Sequence, residues 1–312
     1  MSENKRKIAP LFDIYSKNLT TVNPKYNDIY ACPLCLRKFS KSSLEDGMLT
    51  VEHIIPDKLK GKIYILLCKE CNSKCGRDID IHLVNKIEAD EFFSGNSNKP
   101  LKAEFIVGEG ITRGDFYINK EGNPMLKLIG KPNLAHPNQT QKSIEAMNNK
   151  DISITINGNM GYNPNICTIA LLKIGYLILF SCLGYGYIFH KPLEIIRSQI
   201  LVPEKRIVEP KVFTLFERIT DKFKVMYVYS PIKYKCFLAV IDLPTSNKRS
   251  LAIVLPGLDD FDCEIYKRLC DYDPKSSKEK LLMKEIIFEP QWLINPEYAR
   301  RAEVIWSVKY EK

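Results

Sequence analysis

Apolar residues near the start of the chain recur at helical spacing, which predicts a helix with one buried face. They are Ile8, Leu11, Phe12, Tyr15 and Leu19. The polar stretch at residues 23–28 contains Pro24 and ends this pattern. We therefore expect residues 1–28 to form an N-terminal helical extension.

From residue 101 onward, short runs that favour strands alternate with turn residues. The runs are residues 103–107, 115–119, 125–129, 151–156, 225–229, 236–241 and 251–255. The sequence Lys120-Glu121-Gly122-Asn123 predicts a hairpin turn, and the last three runs predict a meander. These patterns predict an α+β domain with antiparallel strands over residues 101–312.

Residues 166–189 form the most hydrophobic segment of the chain. Lys173 lies inside it, Gly184 and Gly186 interrupt it, and it lacks a strongly basic flank. These features favour a buried helix or helix pair over a membrane span. Residues 193–200 have the amphipathic pattern of a partner helix, so we expect a buried helix pair and no membrane partner.

The length of 312 residues and a hydrophobic content of 45% allow a sizeable core and favour two domains over one. Loop-forming residues at 93–100 predict a linker. We therefore expect a module at residues 29–92 between the N-terminal extension and the domain at residues 101–312.

The net charge is +9, from 46 Lys and Arg residues against 37 Asp and Glu residues. This balance favours a polyanionic partner without requiring one. There are ten cysteines, but the polar start of the chain does not have the pattern of a signal peptide. We therefore expect reduced thiols and a cytoplasmic location.

Two Cys-x-x-Cys pairs give the module at residues 29–92 its chemistry. Cys32 and Cys35 form the first pair, and Cys68 and Cys71 form the second. Matched pairs with a two-residue gap predict one tetrahedral zinc site, in preference to four unrelated buried thiols. A site with four cysteine ligands is closed, so this zinc would be structural and other residues would perform any chemistry.

Glu52 and His53 lie between the two cysteine pairs, and Asn72 directly follows Cys71. A histidine beside a carboxylate in a basic module can act as a general base near neutral pH, although an isolated pair would be a surface feature. Carboxylate and amide oxygens suit Mg²⁺ or Mn²⁺. We predict that Glu52 and Asn72 hold this catalytic ion beside His53.

The order Cys-x-x-Cys, Glu-His-Ile-Ile-Pro, then Cys-Lys-Glu-Cys-Asn resembles the zinc-stapled HNH endonucleases, which have the ββα-metal fold. The similarity covers residues 30–83. It implies that His53 activates water for attack on a phosphodiester, that Glu52 and Asn72 bind the catalytic divalent ion, and that the four cysteines bind structural zinc.

The sequence departs from the common family pattern at three places. Glu52 stands where many members have Asp, and Asn72 stands where many have His. The middle Asn, which usually orients the general base, has no counterpart in residues 57–67. We expect a backbone carbonyl or Asp57 to orient His53 instead.

Basic residues near the motif predict a surface that faces nucleic-acid phosphates, with ordinary solvated side chains as the alternative. They are Lys58, Lys60, Lys62, Lys69, Lys74 and Arg77, and we predict contacts for Lys58, Lys62, Lys74 and Arg77. Asp78 and Asp80 are predicted to cap the following helix or form salt bridges. A second group contains Tyr227, Tyr229 and Tyr234 with Lys222, Lys224 and Lys233. These residues are either a basic aromatic surface or ordinary sheet residues.

These observations predict a metal-dependent HNH endonuclease that cuts DNA, in restriction, phage defence or a mobile element. The fold predicted is a small N-terminal ββα-metal zinc module followed by a larger α+β domain. That larger domain would recognise the target, bind a protein partner or regulate cleavage. The alternative is a noncatalytic zinc module that binds nucleic acid or protein.

Overall fold

The computed structural model describes residues 3–128, 137–148, 153–215, 218–219, 221, 223–243, 250–260, 262–270, 272 and 279–295. Helices and antiparallel strands are mixed along the chain. The helices are α1 (Glu3–Val22), α2 (Lys69–Cys75), α3 (Ile81–Phe93), α4 (Pro137–Met147), α5 (Pro164–Leu183), α6 (Tyr185–Ile188), α7 (Lys191–Leu201) and α8 (Ile265–Arg268). The strands are β1 (Ile29–Ala31), β2 (Lys38–Ser40), β3 (Leu49–His53), β4 (Tyr64–Cys68), β5 (Leu101–Val107), β6 (Gly110–Ile118), β7 (Pro124–Leu128), β8 (Ile154–Gly158), β9 (Val212–Leu215), β10 (Phe223–Ser230), β11 (Cys236–Asp242), β12 (Ser250–Pro256) and β13 (Leu282–Glu285).

Two compact units divide the chain differently from the predicted domains. The first unit contains residues 1–83, 163–244 and 248–312, and the second contains residues 84–162 and 245–247. Residues 101–312 therefore do not form one domain. The reason is that helices α5 and α6 pack against the N-terminal module. Tyr176 donates a hydrogen bond to the Pro33 carbonyl at 2.7 Å, and the Tyr185 hydroxyl forms hydrogen bonds with the Ala31 backbone.

The N-terminal module of the first unit consists of two hairpins and a helix. Strands β1 and β2 form the first hairpin, and β3 and β4 form the second. Helix α2 follows β4 directly and packs against both strands of the second hairpin, while α1 packs against β1. The result is the expected ββα arrangement, preceded by the predicted helix.

Helix α5 is the buried helix of the first unit. Asn163 caps it by accepting a hydrogen bond from the Asn165 backbone N–H at 2.9 Å, and Pro164 occupies the first turn. This helix is long and apolar enough to cross a membrane. However, 72% of its most apolar 18-residue stretch is buried inside the protein. Helices α5 and α7 pack together as the predicted buried pair.

Five antiparallel strands form the sheet of the first unit, in the order β13-β10-β11-β12-β9. The strands β10, β11 and β12 are sequential neighbours, which confirms the predicted meander. Strand β11 is the central strand, and its apolar residues are buried on both faces. Helix α5 packs against β11 and β12.

The second unit is a four-stranded antiparallel sheet in the order β7-β6-β5-β8, with helix α4 packed against β5 and β6. Its core contains Phe92, Phe105, Val107 and Phe116. The hairpin turn at residues 120–123 is confirmed. The predicted strands at 125–129 and 151–156 correspond to β7 and β8, with residues 129, 151 and 152 outside the described residues.

Close packing between α5 and β12 leads to a test of stability at Gly175. A methyl group at this position would lie 2.7 Å from Leu255 Cδ2 and 2.8 Å from Ile253 Cγ2. We expect Gly175→Ala to lower the free energy of unfolding by about 1–3 kcal/mol, because overpacking outweighs the helix propensity of alanine. Urea denaturation measures this change.

Gly186 provides the matched control, since the nearest atom to an added methyl group there is Val22 Cγ2 at 3.9 Å. Gly186→Ala should leave the free energy of unfolding unchanged or raise it by up to about 1 kcal/mol. Equal stability of the two variants would contradict the packing described for α5.

Candidate metal and nuclease site

Four cysteines from two separate segments meet in the N-terminal module. Cys32 and Cys35 lie in the turn between β1 and β2, while Cys68 ends β4 and Cys71 lies in the first turn of α2. Their sulfur atoms all lie within 4.8 Å of one another. All four cysteines are free thiols, so no disulfide competes for them.

The geometry of this cluster fits zinc. A tetrahedral site with Zn–S bonds of about 2.3 Å places its sulfur atoms about 3.8 Å apart, and Cys35 Sγ lies 3.7 Å from Cys68 Sγ. The backbone N–H of Cys71 also donates to Cys68 Sγ at 3.4 Å, which anchors the start of α2. The predicted structural zinc site is therefore supported by the position of all four ligands.

Arg37 is a neighbour of the sulfur cluster that the sequence analysis did not identify. Its Nη2 lies 3.3 Å from Cys68 Sγ, and its Nε lies 3.4 Å from Cys35 Sγ. The same guanidinium pairs with Glu70 at 2.6 Å. Neighbouring thiols, Cys32 first, lower the pKa of Cys35, and Arg37 acts in the same direction. Arg37 therefore stabilises the thiolate forms that bind metal.

Glu52 and His53 both lie within strand β3. Successive side chains of a strand point to opposite faces, so Glu52 and His53 lie on different faces of the hairpin. Glu52 is 6% exposed and pairs across the ladder with Ile65, whereas His53 is half-buried and pairs with Tyr64. The two residues are neighbours in the sequence, but their side chains lie on opposite faces of the strand.

The Glu52 carboxylate forms a buried ion pair with a lysine from helix α5. Lys173 Nζ lies 2.6 Å from Glu52 Oε1 and 2.6 Å from Asp80 Oδ2. The Lys173 side chain is fully buried. Asp80 forms a salt bridge, as the sequence predicted, and its partner is the lysine that interrupts the most hydrophobic segment.

The charges in this cluster depend on each other. Burial alone lowers the pKa of Lys173. The adjacent Asp80 and Glu52 carboxylates raise this pKa by more than burial lowers it, so the net shift is upward. Burial raises the pKa of Glu52, and Lys173 offsets part of that change. Lys173 therefore remains an ammonium ion between the two acidic side chains.

Asn72 lies in α2 with its side chain directed to strand β3. Its amide nitrogen donates to Thr50 Oγ1 at 2.9 Å and to the Val51 carbonyl at 3.1 Å. These two bonds use the amide hydrogens, so the amide oxygen is the atom left to bind a metal. Thr50 and Glu52 share one face of β3, which places Asn72 on the side of the hairpin that carries Glu52.

His53 packs against the ring of Tyr64 at the opposite face, with the ring centroids 4.9 Å apart. The nearest carboxylate is Asp57, whose Oδ1 lies 3.7 Å from His53 Nε2, beyond hydrogen-bond length. Gly61 lies in the loop between β3 and β4 and allows this loop to pack tightly, since a Cβ there would lie 1.8 Å from the Ile55 carbonyl oxygen. Asp57 is thus within ion-pair distance of His53 without a hydrogen bond to it.

The predicted ligands for a catalytic divalent ion do not form an open site in this arrangement. The Glu52 carboxylate is buried and already holds the Lys173 ammonium, so an ion could bind Glu52 only by sharing or displacing that lysine. The amide oxygen of Asn72 is chemically suitable. The set therefore fits Mg²⁺ or Mn²⁺ only after Glu52 is released from Lys173.

The basic residues predicted to contact nucleic acid have different environments. Lys58, Lys60, Lys62, Lys69 and Arg77 are exposed, so their side chains are accessible to phosphates. Lys74 instead donates to the Leu201 carbonyl at 2.8 Å and has a structural contact.

The second proposed basic aromatic surface corresponds better to ordinary sheet residues. Tyr227 and Tyr234 are buried. Lys233 pairs with Glu279 at 2.6 Å, and Lys224 pairs with Glu285 at 3.1 Å. These contacts neutralise both lysines, so they do not support a nucleic-acid surface on this sheet.

Residues 32–88 match the model of a family described as HNH endonuclease. The matched segment contains the four clustered cysteines together with Glu52, His53 and Asn72. No curated protein and no solved structure matches the chain. The cysteine cluster, the hairpin and the helix thus form a module of the ββα class with a candidate zinc site. Residues 32–88 are identified by this match as an HNH endonuclease module.

The role of the cysteine cluster leads to a test at Cys68. We expect Cys68→Ser to lose both bound zinc and cooperative unfolding, because binding energy at a structural zinc site is folding energy. Zinc content and thermal melting of the purified protein measure the two effects. Cys270→Ser is the control, since Cys270 is exposed and lies outside the cluster. A Cys68→Ser protein that melts like the control would contradict a structural zinc.

Arg37 allows a finer test of the same site. We expect Arg37→Met to weaken zinc binding by about 10–100-fold, since loss of a group that hydrogen-bonds the metal ligands typically has this effect. Competition with a chromogenic chelator measures the affinity. Arg77→Met removes an exposed arginine of the same module that contacts Asp78 instead of sulfur, and it should retain wild-type affinity. Equal affinities in the two variants would exclude this role for Arg37.

Proposed function

We propose that the chain is an HNH endonuclease that hydrolyses phosphodiester bonds in DNA. The single observation that carries this proposal is the match of residues 32–88 to the HNH endonuclease family. The cluster of four sulfur atoms and the half-buried position of His53 support it. The net charge of +9 is compatible with a polyanionic substrate.

His53 is the proposed general base. Its ring is fixed on one side by Tyr64, and 34% of its side chain is exposed, so water and substrate can approach the imidazole. The ring would accept a proton from the attacking water, and Asp57 would orient the ring. Asp57 thus takes the role that the middle Asn has in the family pattern.

The phosphodiester would contact the exposed basic residues of the same module. Lys58 and Lys62 lie in the segment that follows His53, and Arg77 follows α2. Their charges would position the nucleic-acid backbone without reading its sequence. Residues outside the module would select the target, bind a protein partner or regulate cleavage.

A divalent ion, Mg²⁺ or Mn²⁺, is part of this proposal, with Glu52 and Asn72 as its ligands. Such an ion would stabilise charge on the phosphate when bound. Restriction, phage defence or mobility of a genetic element, in the cytoplasm, are the settings that we propose for such an enzyme.

A noncatalytic zinc module that binds nucleic acid or a protein is the second candidate function. The Lys173 contact with Glu52 favours it, because a carboxylate neutralised inside the protein does not hold a catalytic ion. The absence of the middle Asn favours it as well. The exposed lysines would serve either function, so activity measurements must separate the two.

Plasmid cleavage tests the proposed nuclease. Purified protein should nick or cut plasmid DNA in the presence of Mg²⁺ or Mn²⁺, and His53→Ala should reduce the rate by about 10²–10⁴-fold, since this is the usual contribution of a general base. Zinc content should remain unchanged in the variant, because His53 lies outside the sulfur cluster.

His82→Ala is the matched control. His82 belongs to the same family match but accepts a hydrogen bond from the Asn163 backbone, so its removal should leave the cleavage rate near that of the wild type. Equal rates in the wild-type and His53→Ala proteins would contradict the mechanism. DNA binding without cleavage by the wild type would favour the noncatalytic candidate.

A further inference from the structure

The buried cluster of Lys173, Glu52 and Asp80 contains two carboxylates for one ammonium ion. Helix α5 supplies the lysine, strand β3 supplies Glu52, and the segment between α2 and α3 supplies Asp80. Buried charges in proteins are ordinarily paired or bound to a metal. Among the described residues, this cluster is one positive charge short of neutrality.

Asp80 adds a second, independent observation. It is 8% exposed, and its Oδ1 atom is buried without a hydrogen-bond partner among the described residues. An unsatisfied carboxylate oxygen in a protein interior is unfavourable. The cluster therefore has both an excess of negative charge and a vacant acceptor atom, which are the two properties of a cation site.

The dimensions of the cluster also suit a cation. Lys173 Nζ lies 2.6 Å from one oxygen of each carboxylate. Oxygen ligands bind Mg²⁺ at about 2.0–2.1 Å and Ca²⁺ at about 2.3–2.6 Å. A small contraction of the two side chains would thus place both oxygens within bonding distance of a divalent ion at the position that Nζ occupies.

Local backbone structure directs Asp80 to this point. Residues 76–80 form a π-helical turn between α2 and α3. A π-helical turn inserts an extra residue, which shifts the faces of the flanking helices relative to a continuous α-helix. The segment packs against α5, and Asp80 consequently faces Lys173.

We propose that Glu52 and Asp80 form a divalent-cation site that Lys173 occupies, so that this lysine and a divalent ion compete for Glu52. Lys173 is fully buried and cannot contact a phosphate, so its effect is exerted through Glu52. The inference that this competition regulates cleavage rests on the proposed nuclease function. The cation site itself does not depend on it.

Binding of Mn²⁺ tests the site on the zinc-loaded, full-length protein. Electron paramagnetic resonance counts free Mn²⁺, and zinc is silent in this measurement. Lys173→Met removes the ammonium and keeps an unbranched side chain of similar length, so its affinity for Mn²⁺ should be at least about tenfold higher than that of the wild type. The gain should be one site per chain.

A matched variant shows whether the gained site is the proposed one. Glu52→Gln and Asp80→Asn combined with Lys173→Met keep the shape of the cluster but remove both ligand charges, and this triple variant should lose the added site. Equal affinity of wild type and Lys173→Met, weaker binding by Lys173→Met, or a gained site that survives in the triple variant would each overturn the proposal.

Lys173→Met leaves two buried carboxylates and is at risk of misfolding. Asp80→Asn combined with Lys173→Met leaves Glu52 as the single charged member and keeps an amide oxygen as ligand, so it should fold and bind Mn²⁺ more tightly than wild type. Absence of binding by this folded protein would overturn the proposal. None of these results depends on DNA cleavage, so failure here leaves the His53→Ala test intact.

Discussion

The constraint on which the first unit depends is the burial of a charged lysine in its most apolar helix. Helix α5 packs against the five-stranded sheet and α7, and its apolar residues are covered by protein. A lysine in such a place requires carboxylates, and the nuclease module supplies both of them. This requirement joins the HNH segment to residues far along the chain. It also removes Glu52 from solvent and so from direct access by a divalent ion.

The cysteine cluster and His53 are held in place by separate contacts in this module. The sulfur cluster holds the first hairpin to the start of α2, so zinc fixes the backbone that carries Asn72. His53 depends instead on Tyr64 and the tight loop closed by Gly61. The four cysteines and His53 thus rely on different contacts, and damage to one set need not damage the other.

The sequence predicted the local features of this protein well, because they depend on local patterns. The cysteine spacing located the zinc ligands, the alternation of residues 225–255 predicted the meander, and the spacing of Ile8 to Leu19 predicted α1. The interruption of an apolar segment by Lys173 argued correctly for a buried helix. Each of these inferences used residues that lie close together in the chain.

Long-range features were not predicted, since they depend on which distant residues meet. The Lys173 ion pair joins residues 121 positions apart, and no periodicity connects them. The predicted domain boundaries differ from the compact units for the same reason. The packing of α5 against the N-terminal module leaves no signal in the local sequence. Arg37 had a weak signal in its position two residues after Cys35. Its contact with Cys68 could be identified only from the folded structure.

The order of the two compact units along the chain also affects how the protein is made. Strands β5 to β8 lie between the cysteine hairpins and α5 in the chain, so a ribosome makes them before it supplies Lys173. Until then Glu52 and Asp80 have no buried cation, and Tyr176 and Tyr185 are not available to contact the first hairpin. Contacts of such sequence separation form slowly. During synthesis, both cysteine pairs are therefore made well before the helix that covers their module.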